Sequence, residues 1–241
     1  MLALTGCVSN DATRPKQPER ASDINLELGM NYLREGKLAD AKEKLDKAVE
    51  MNPKSAKAHA YAGLLYMQIG EEAKGDAHFE RALSLDPKNP EILNNYATLL
   101  CQRKKFDRGE KLAVEAASNP LYKTPYVGFM NAGNCARDAG RLKDAESHYR
   151  KALAAQPKFP QALYAMADLE FSQANYMSAR AFFERYLATG RIDSATLWLG
   201  VRIERALGNS AGARGYGRRL QTEYPASVEA KQFTESERKT G

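Results

Sequence analysis

Proline residues recur along this chain at multiples of a 34-residue interval. Pro53, Pro87, Pro157 and Pro225 are separated by 34, 70 and 68 residues, where 70 is two intervals plus two residues. Small residues are usual at the eighth, twentieth and twenty-seventh positions of the interval, and large residues at the seventh, eleventh and twenty-fourth; four repeats match nearly every position. A unit this short cannot enclose a core of its own, so the chain must bury its apolar residues between successive units.

The alternation of small and large residues predicts two antiparallel helices in every unit. Small residues let the helices approach closely, and large residues fill the space between them. The proline stops the second helix, because it lacks an N–H and its ring clashes with the preceding turn. This is the tetratricopeptide pattern. We expect an all-α, right-handed superhelical solenoid of six such repeats, at residues 22–55, 56–89, 90–125, 126–159, 160–193 and 194–226.

Three repeats depart from the pattern in ways that predict local effects. The segment Asn119–Pro125 lengthens the third repeat and must end its second helix. Glu170 and Glu204 stand where a large apolar residue is usual. The sixth repeat has glycines in or beside its second helix, and each interior glycine costs about 1 kcal/mol against alanine. We expect this repeat to be the least stable unless residues 226–233 pack over it, with 227–241 forming a C-terminal cap and a frayed tail.

The N-terminal sequence Leu4-Thr5-Gly6-Cys7 matches the lipobox of bacterial lipoproteins. In that motif small residues admit the signal peptidase, and the cysteine thiol takes a thioether-linked diacylglycerol. Residues 8–21 are mostly polar, as in a flexible linker. We expect 1–6 to be the remnant of a signal peptide with a late-assigned start or a truncation, and 7–21 to be the lipidated cysteine and its tether. The alternative is a chance cysteine in a structureless leader.

Composition and motifs exclude several classes of protein. No apolar run approaches the length of a membrane-spanning helix. The net charge of +6 is spread along the chain and is a weak argument for a nucleic-acid partner, so none is expected. The sequence contains no Gly-x-Ser-x-Gly, P-loop or His-Glu-x-x-His motif. We expect no catalytic residues, no small-molecule substrate and no cofactor beyond a covalent lipid on Cys7.

Histidine and cysteine spacing does not predict a metal site or a disulfide framework. His78 and His148 occupy the same slot two repeats apart, and neighbouring helices lie about 8–10 Å apart, so the two rings cannot share a metal. Cys101 and Cys135 lie on the first helices of neighbouring repeats. An oxidising compartment would permit a bridge between them, but the sequence favours two unpaired thiols.

The remaining candidate site is a surface. In tetratricopeptide repeats the first helices line a concave face through their second, fifth, ninth, twelfth and thirteenth positions. These positions are apolar near the N-terminus, amide-rich in the middle, and aromatic with arginine near the C-terminus. Apolar clusters mark partner contacts, and Trp, Tyr and Arg dominate binding hot spots. The predicted partner-binding residues are Leu26, Met30, Leu33, Leu64, Met67, Asn94, Asn134, Arg137, Tyr164, Trp198 and Arg202.

Leu26, Met30 and Leu33 form one stripe of the first helix, because these spacings return to the same side. The usual packing positions of that repeat are already filled, by Leu28 among others. We therefore expect the stripe to be an exposed groove for an apolar segment of a partner, with the alternative that it belongs to the core. Trp198 fits partner contact and sealing of the last repeat equally well.

Some stretches that the repeat pattern does not dictate carry a family resemblance. With the lipobox, tether and six repeats, they resemble the pilotin lipoproteins of type IV pilus assembly, the PilF/PilW group. The resemblance implies a non-enzymatic protein that binds the outer-membrane secretin subunit and promotes its localisation and multimerisation, which pilus assembly and twitching motility require. The stretches are Leu93-Asn94-Asn95-Tyr96, Asn119–Pro125, Met166-Ala167-Asp168-Leu169, Leu199-Gly200-Val201-Arg202 and Tyr224-Pro225.

The resemblance also implies a location. Val8 follows Cys7 in place of the aspartate that retains lipoproteins at the inner membrane, so we expect a lipid anchor on the periplasmic face of the outer membrane. Two other readings stay open. One is a different periplasmic repeat lipoprotein that scaffolds cell-envelope assembly. The other is the repeat arm of an enzyme, for which six repeats of 34 residues leave little of the 241-residue chain.

Overall fold

The computed structural model describes residues 17–240, and all regular structure in that range is α-helical. The all-α tetratricopeptide-repeat fold is therefore confirmed. Consecutive helices form antiparallel pairs, one pair for each repeat, and a thirteenth helix follows the sixth pair. In chain order the helices are α1 (Gln17–Arg34), α2 (Leu38–Met51), α3 (Ala56–Gln68), α4 (Glu72–Leu85), α5 (Pro90–Gln102), α6 (Phe106–Ala117), α7 (Pro125–Asp138), α8 (Leu142–Ala155), α9 (Pro160–Ser172), α10 (Tyr176–Leu187), α11 (Ser194–Ala206), α12 (Ser210–Glu223) and α13 (Val228–Thr240).

Helix α1 begins earlier than the repeat pattern predicts. Residues 17–21 are helical, so the prediction of a flexible tether is wrong for that part of 7–21. The side chain of Ser22 is buried and its hydroxyl donates to the carbonyl of Ala48 at 2.7 Å, which fixes this end of α1 on α2. The predicted signal remnant, the predicted lipidation site Cys7 and the rest of the predicted tether lie outside the described residues.

The turn between the two helices of each repeat requires a left-handed residue at the fifteenth position. Glycine, which adopts positive φ without steric cost, occupies this position in four repeats. In the third and fifth repeats Lys104 and Ala174 adopt φ values of 60° and 61° there. This conformation is energetically unfavourable for any residue that has a Cβ. The four glycines are Gly36, Gly70, Gly140 and Gly208.

The chain divides into two compact units within α5, an N-terminal unit ending at Tyr96 and a C-terminal unit beginning at Ala97. In the N-terminal unit the small-large rule is visible at Gly63, where an added Cβ would lie 2.7 Å from the ring of Phe79. In the C-terminal unit Gly133 plays the same part, with an added Cβ 2.4 Å from the ring of Tyr149. Both rings are fully buried, because the glycine lets the second helix of the repeat approach the first.

The sixth repeat is covered by α13. Ala230 and Phe233 of this helix are 4% exposed and pack against a cluster formed by Leu197, Val201 and Leu220. Gly217 lies directly beneath Phe233, where any added Cβ would overlap the ring, so one of the glycines expected to weaken the repeat instead seats its cap. The prediction of a frayed tail from Thr234 is wrong for the described residues, because α13 continues to Thr240.

The two glutamates at unusual positions are buried and paired. Glu170 and Glu204 are each 4% exposed. Arg150 reaches Glu170 at 3.5 Å and Arg180 reaches Glu204 at 3.1 Å, in both cases from the second helix of the preceding repeat. Asn209 also donates to Glu204 at 2.5 Å. A buried carboxylate is tolerated where a cation and hydrogen bonds compensate its desolvation, which explains why these positions need not be apolar.

The structure corrects the prediction for the cysteines. Cys101 on α5 and Cys135 on α7 form a disulfide, with their Cα atoms 5.3 Å apart. The bridge joins the first helices of the third and fourth repeats and lies within the C-terminal unit. A spacing rule for disulfide motifs could not find it, because it is the side-by-side packing of first helices that brings the two Cβ atoms together.

Candidate partner-binding surface

The predicted apolar stripe on α1 is partly core. Leu26 is 4% exposed and belongs to the buried cluster of the N-terminal unit, so its prediction as a surface residue is wrong. Met30 and Leu33 are half-buried and pack against the same cluster. Leu28, which was expected to fill the packing position, is 40% exposed, and Ile24 one turn earlier is 53% exposed. The outward apolar face of α1 thus differs from the predicted one.

The other predicted residues of the N-terminal unit are also more enclosed than a binding face requires. Leu64 is half-buried. Met67 lies over Gly75, where an added Cβ would be 2.7 Å from the methionine Cγ, so its side chain fills the space between α3 and α4. Asn94 is 8% exposed, which corrects its prediction as a surface amide. Of the N-terminal set, Met30, Leu33, Leu64 and Met67 keep partly accessible side chains.

The C-terminal unit gathers three predicted residues in one open groove of ≈ 470 Å³. Asn134 and Arg137 on α7 form one side of it, and Tyr164 on α9 forms the other. We call this site the C-terminal groove. Its remaining wall comes from α10, α11 and the loop between them. The complete lining is Met130, Asn134, Arg137, Pro160, Gln161, Tyr164, Ala165, Asp168, Tyr186, Arg191, Asp193 and Ala195.

Hydrogen bonds and burial fix the polar groups of this groove. The hydroxyl of Tyr149 donates to Asn134 Oδ1 at 2.9 Å, and burial raises the pKa of Tyr149 to about 12, so this phenol stays protonated. Burial opposes the charge of Arg137, but Tyr149 and a hydrogen bond to Asp138 raise the pKa of Arg137 above its ordinary value. Burial and the nearby carboxylate of Asp168 raise the pKa of Tyr164. At neutral pH the Tyr164 phenol is therefore neutral and the Arg137 guanidinium is charged.

The last two predicted residues lie beside the groove without lining it. The Arg202 guanidinium is 3.7 Å from Asp168 Oδ1 and 4.8 Å from the ring centroid of Phe171, so it joins α11 to α9. Trp198 is half-buried and packs against the cluster under α13, which supports its role in sealing the last repeat.

Several groove residues were not predicted, because the prediction from sequence covered only positions on the first helices. Tyr186 belongs to a second helix, and its ring meets that of Tyr164 edge-on with centroids 5.4 Å apart. Arg191 and Asp193 belong to the connection between α10 and α11, a segment for which the repeat pattern predicts no conformation. One sequence feature could have pointed to this connection: residues 188–193 lack the proline that usually ends a repeat.

Histidines and acidic residues do not assemble a metal centre anywhere in residues 17–240. His59 and His78 face each other with their Nδ1 atoms 3.0 Å apart, and His148 Nε2 lies 2.9 Å from Glu110 Oε1. All three therefore serve packing and hydrogen bonding. In the same range no helix is both long and apolar enough to cross a membrane.

The paired helices and an open groove on their first-helix side define a tetratricopeptide-repeat protein, a class that mediates protein–protein contacts. Three tetratricopeptide-repeat models match the chain, at residues 26–90, 78–111 and 136–195. The type IV pilus assembly protein PilF of Pseudomonas aeruginosa is 30% identical over 236 residues, which is 96% of this chain and 94% of that protein.

Solved structures give the same relationship. A structure of P. aeruginosa PilF matches with a TM-score of 0.79 and 29% identity, covering 92% of this chain and 100% of that one. The structure of PilW, described as a widely conserved type IV pilus biogenesis factor, matches with a TM-score of 0.79 and 30% identity, covering 90% and 99%. This chain belongs to the PilF/PilW family of type IV pilus biogenesis proteins.

Proposed function

We propose that this protein is a non-enzymatic pilotin. It binds the secretin subunit of the type IV pilus and promotes its localisation and multimerisation in the outer membrane. The observation that carries the proposal is the 30% identity to a type IV pilus assembly protein over nearly the full length of both chains. The fold supports it, since repeat helices with an open groove present a surface to a partner chain.

The proposal places the protein at the periplasmic face of the outer membrane, held by a lipid on Cys7. The lipobox Leu4-Thr5-Gly6-Cys7 supports this anchor. The disulfide between Cys101 and Cys135 fits an oxidising compartment such as the periplasm. A single acyl chain gives only marginal membrane binding, whereas several chains give a stable anchor.

A deletion strain tests the biological role. We expect loss of twitching motility and of secretin multimers, both restored by the wild-type gene. A Cys7→Ala variant supplied with an upstream lipoprotein signal should fold normally but leave the membrane fraction, whereas a Ser9→Ala control should remain there. Normal secretin multimers in the deletion strain would reject the pilotin role, and membrane retention of Cys7→Ala would reject the anchor.

The contact itself is tested by pull-down of the secretin with variants of α1. Met30→Gln and Leu33→Gln remove apolar groups that remain half accessible, and Leu28→Gln is the control on the same helix. Full burial of such a side chain contributes about 1.5–3 kcal/mol, so half of that weakens binding by about three- to tenfold. Binding is measured well below each variant's melting temperature, because both side chains also pack on the core. Equal capture by all three variants would exclude this stripe as the contact.

A further inference from the structure

The C-terminal groove has an apolar wall. Met130, Pro160 and Tyr164 supply it from two first helices, and Tyr186 adds a second ring that meets Tyr164 edge-on. A volume of ≈ 470 Å³ is within the usual range of ligand sites, and an open groove of this size accommodates a few residues of an extended chain.

Hydrogen-bond donors in the groove remain available. Asn134 Oδ1 is occupied by the Tyr149 hydroxyl, which leaves the Asn134 amide N–H groups as donors toward the groove. Arg137 uses its Nε and Nη2 atoms on Asp138, and its Nη1 makes no ion pair. Arg191 is exposed, and within residues 17–238 it has no carboxylate at ion-pair distance.

Each of the two carboxylates in the groove already has a partner at one oxygen. Asp193 Oδ1 accepts from the backbone N–H and from the hydroxyl of Thr196, both at 2.7 Å, because Asp193 caps the N-terminus of α11. Asp168 faces the Arg202 guanidinium at 3.7 Å. The groove therefore combines uncommitted donors, two of them cationic, with two partly engaged carboxylates and an aromatic wall.

We propose that the C-terminal groove binds an extended peptide segment of a partner that carries an acidic side chain next to an apolar one. The carboxylate meets Arg191 and the Asn134 amide, and the apolar side chain lies against Tyr164. This inference rests on the proposed partner-binding function and adds the chemistry of the bound segment. A basic segment is disfavoured, because its cation would lie beside the Arg191 guanidinium.

Fluorescence anisotropy with synthetic peptides tests the inference. The probe is a fluorescein-labelled, C-terminally amidated peptide Gly-Ser-Leu-Glu-Phe-Glu-Ser-Gly, compared with versions in which glutamine or lysine replaces both glutamates. At low salt we expect the glutamate peptide to bind about fivefold or more tightly than the glutamine peptide, with the difference shrinking as salt screens the charges. The lysine peptide should bind most weakly.

Two variants and a matched control locate the site. Arg191→Glu should weaken binding of the glutamate peptide by about tenfold and strengthen binding of the lysine peptide, as expected when the sign of a contact charge is reversed. Asn134→Asp keeps the acceptor for Tyr149 but removes the amide donor, so it should also weaken the glutamate peptide. Lys143→Glu makes the same charge change as Arg191→Glu at an exposed position of α8 outside the groove, and should alter binding by less than about twofold.

Each outcome decides the inference. Equal binding of the glutamate and glutamine peptides, tighter binding of the lysine peptide, no binding of any peptide, or equal effects of Arg191→Glu and Lys143→Glu would overturn it. The secretin pull-down with Met30→Gln and Leu33→Gln is scored separately. Secretin capture without peptide binding would overturn the groove alone, and peptide binding without secretin capture would overturn the proposed partner alone.

Discussion

The disulfide between Cys101 and Cys135 should supply a large part of the stability of the C-terminal unit. The perturbation is its removal, either by reduction or by the double substitution Cys101→Ala and Cys135→Ala. Alanine suits Cys135, which is fully buried, because it leaves no unsatisfied hydroxyl. Both experiments use a Cys7→Ala background, so that the bridge is the only cysteine chemistry left in the chain.

The expected magnitude follows from the length of the closed loop. The two cysteines are 34 residues apart, and the chain-entropy relation for a loop of this length gives about 4 kcal/mol at 25 °C. We therefore expect the free energy of unfolding to fall by about 3–4 kcal/mol on reduction.

Guanidinium denaturation followed by circular dichroism, with and without dithiothreitol, measures this difference. Thiol titration in denaturant should find no reactive thiol in the untreated Cys7→Ala protein and two after reduction. The double alanine variant should have the midpoint of the reduced protein and should not respond to dithiothreitol. Two reactive thiols in protein purified from the periplasm, or an unchanged midpoint after complete reduction, would refute the reasoning.

Three further outcomes are expected. Burial lowers the pKa of His59 and His78 below the ordinary 6.5, and the two rings repel each other when charged. Because the unfolded chain then binds more protons than the folded one, the full free energy of unfolding is present above pH 6.5 and falls as the pH drops through that value. Thermal melts on either side of pH 6.5 should show this loss, and less of it in His78→Phe, which keeps a ring at that site. Phe233→Ala should cost about 3–5 kcal/mol, and hydrogen exchange should show α11 and α12 opening first, since Phe233 is the 4% exposed residue by which α13 packs on the sixth repeat; uniform exchange across the C-terminal unit would contradict this. Ala174→Gly should raise stability by about 0.5–1 kcal/mol, because alanine is held at a φ of 61°; a lower melting temperature would show that this turn is not strained.

The helices of this chain could be predicted from sequence because their signal is local. Small and large residues at fixed offsets, with a terminating proline, determine where helices pack and end, and six copies of the signal average out its irregularities. The same reasoning identified the cap over the sixth repeat. It failed at both ends of the described range, for residues 17–21 and beyond Thr234, because it treated low apolar content as absence of structure.

Which side chains face solvent was decided by neighbours in space. The seventh position of the repeat is buried in Ala62, Ala132 and Met166, but the corresponding Leu28 is 40% exposed. That position packs toward the preceding repeat, and the described residues place no repeat before α1. Leu26, which was predicted to face a partner, is buried instead.

The repeat architecture thus follows from local sequence, since helix periodicity and close helix approach depend on residues a few positions apart. The disulfide and the C-terminal groove depend instead on how the repeats pack. Cys101 meets Cys135, and Asn134 and Arg191 line one groove, because successive repeats stack side by side and bring together residues 34 or more positions apart. Which residues of neighbouring repeats come into contact depends on the side-chain volumes of the helices packed between them, and a local sequence pattern does not contain that information.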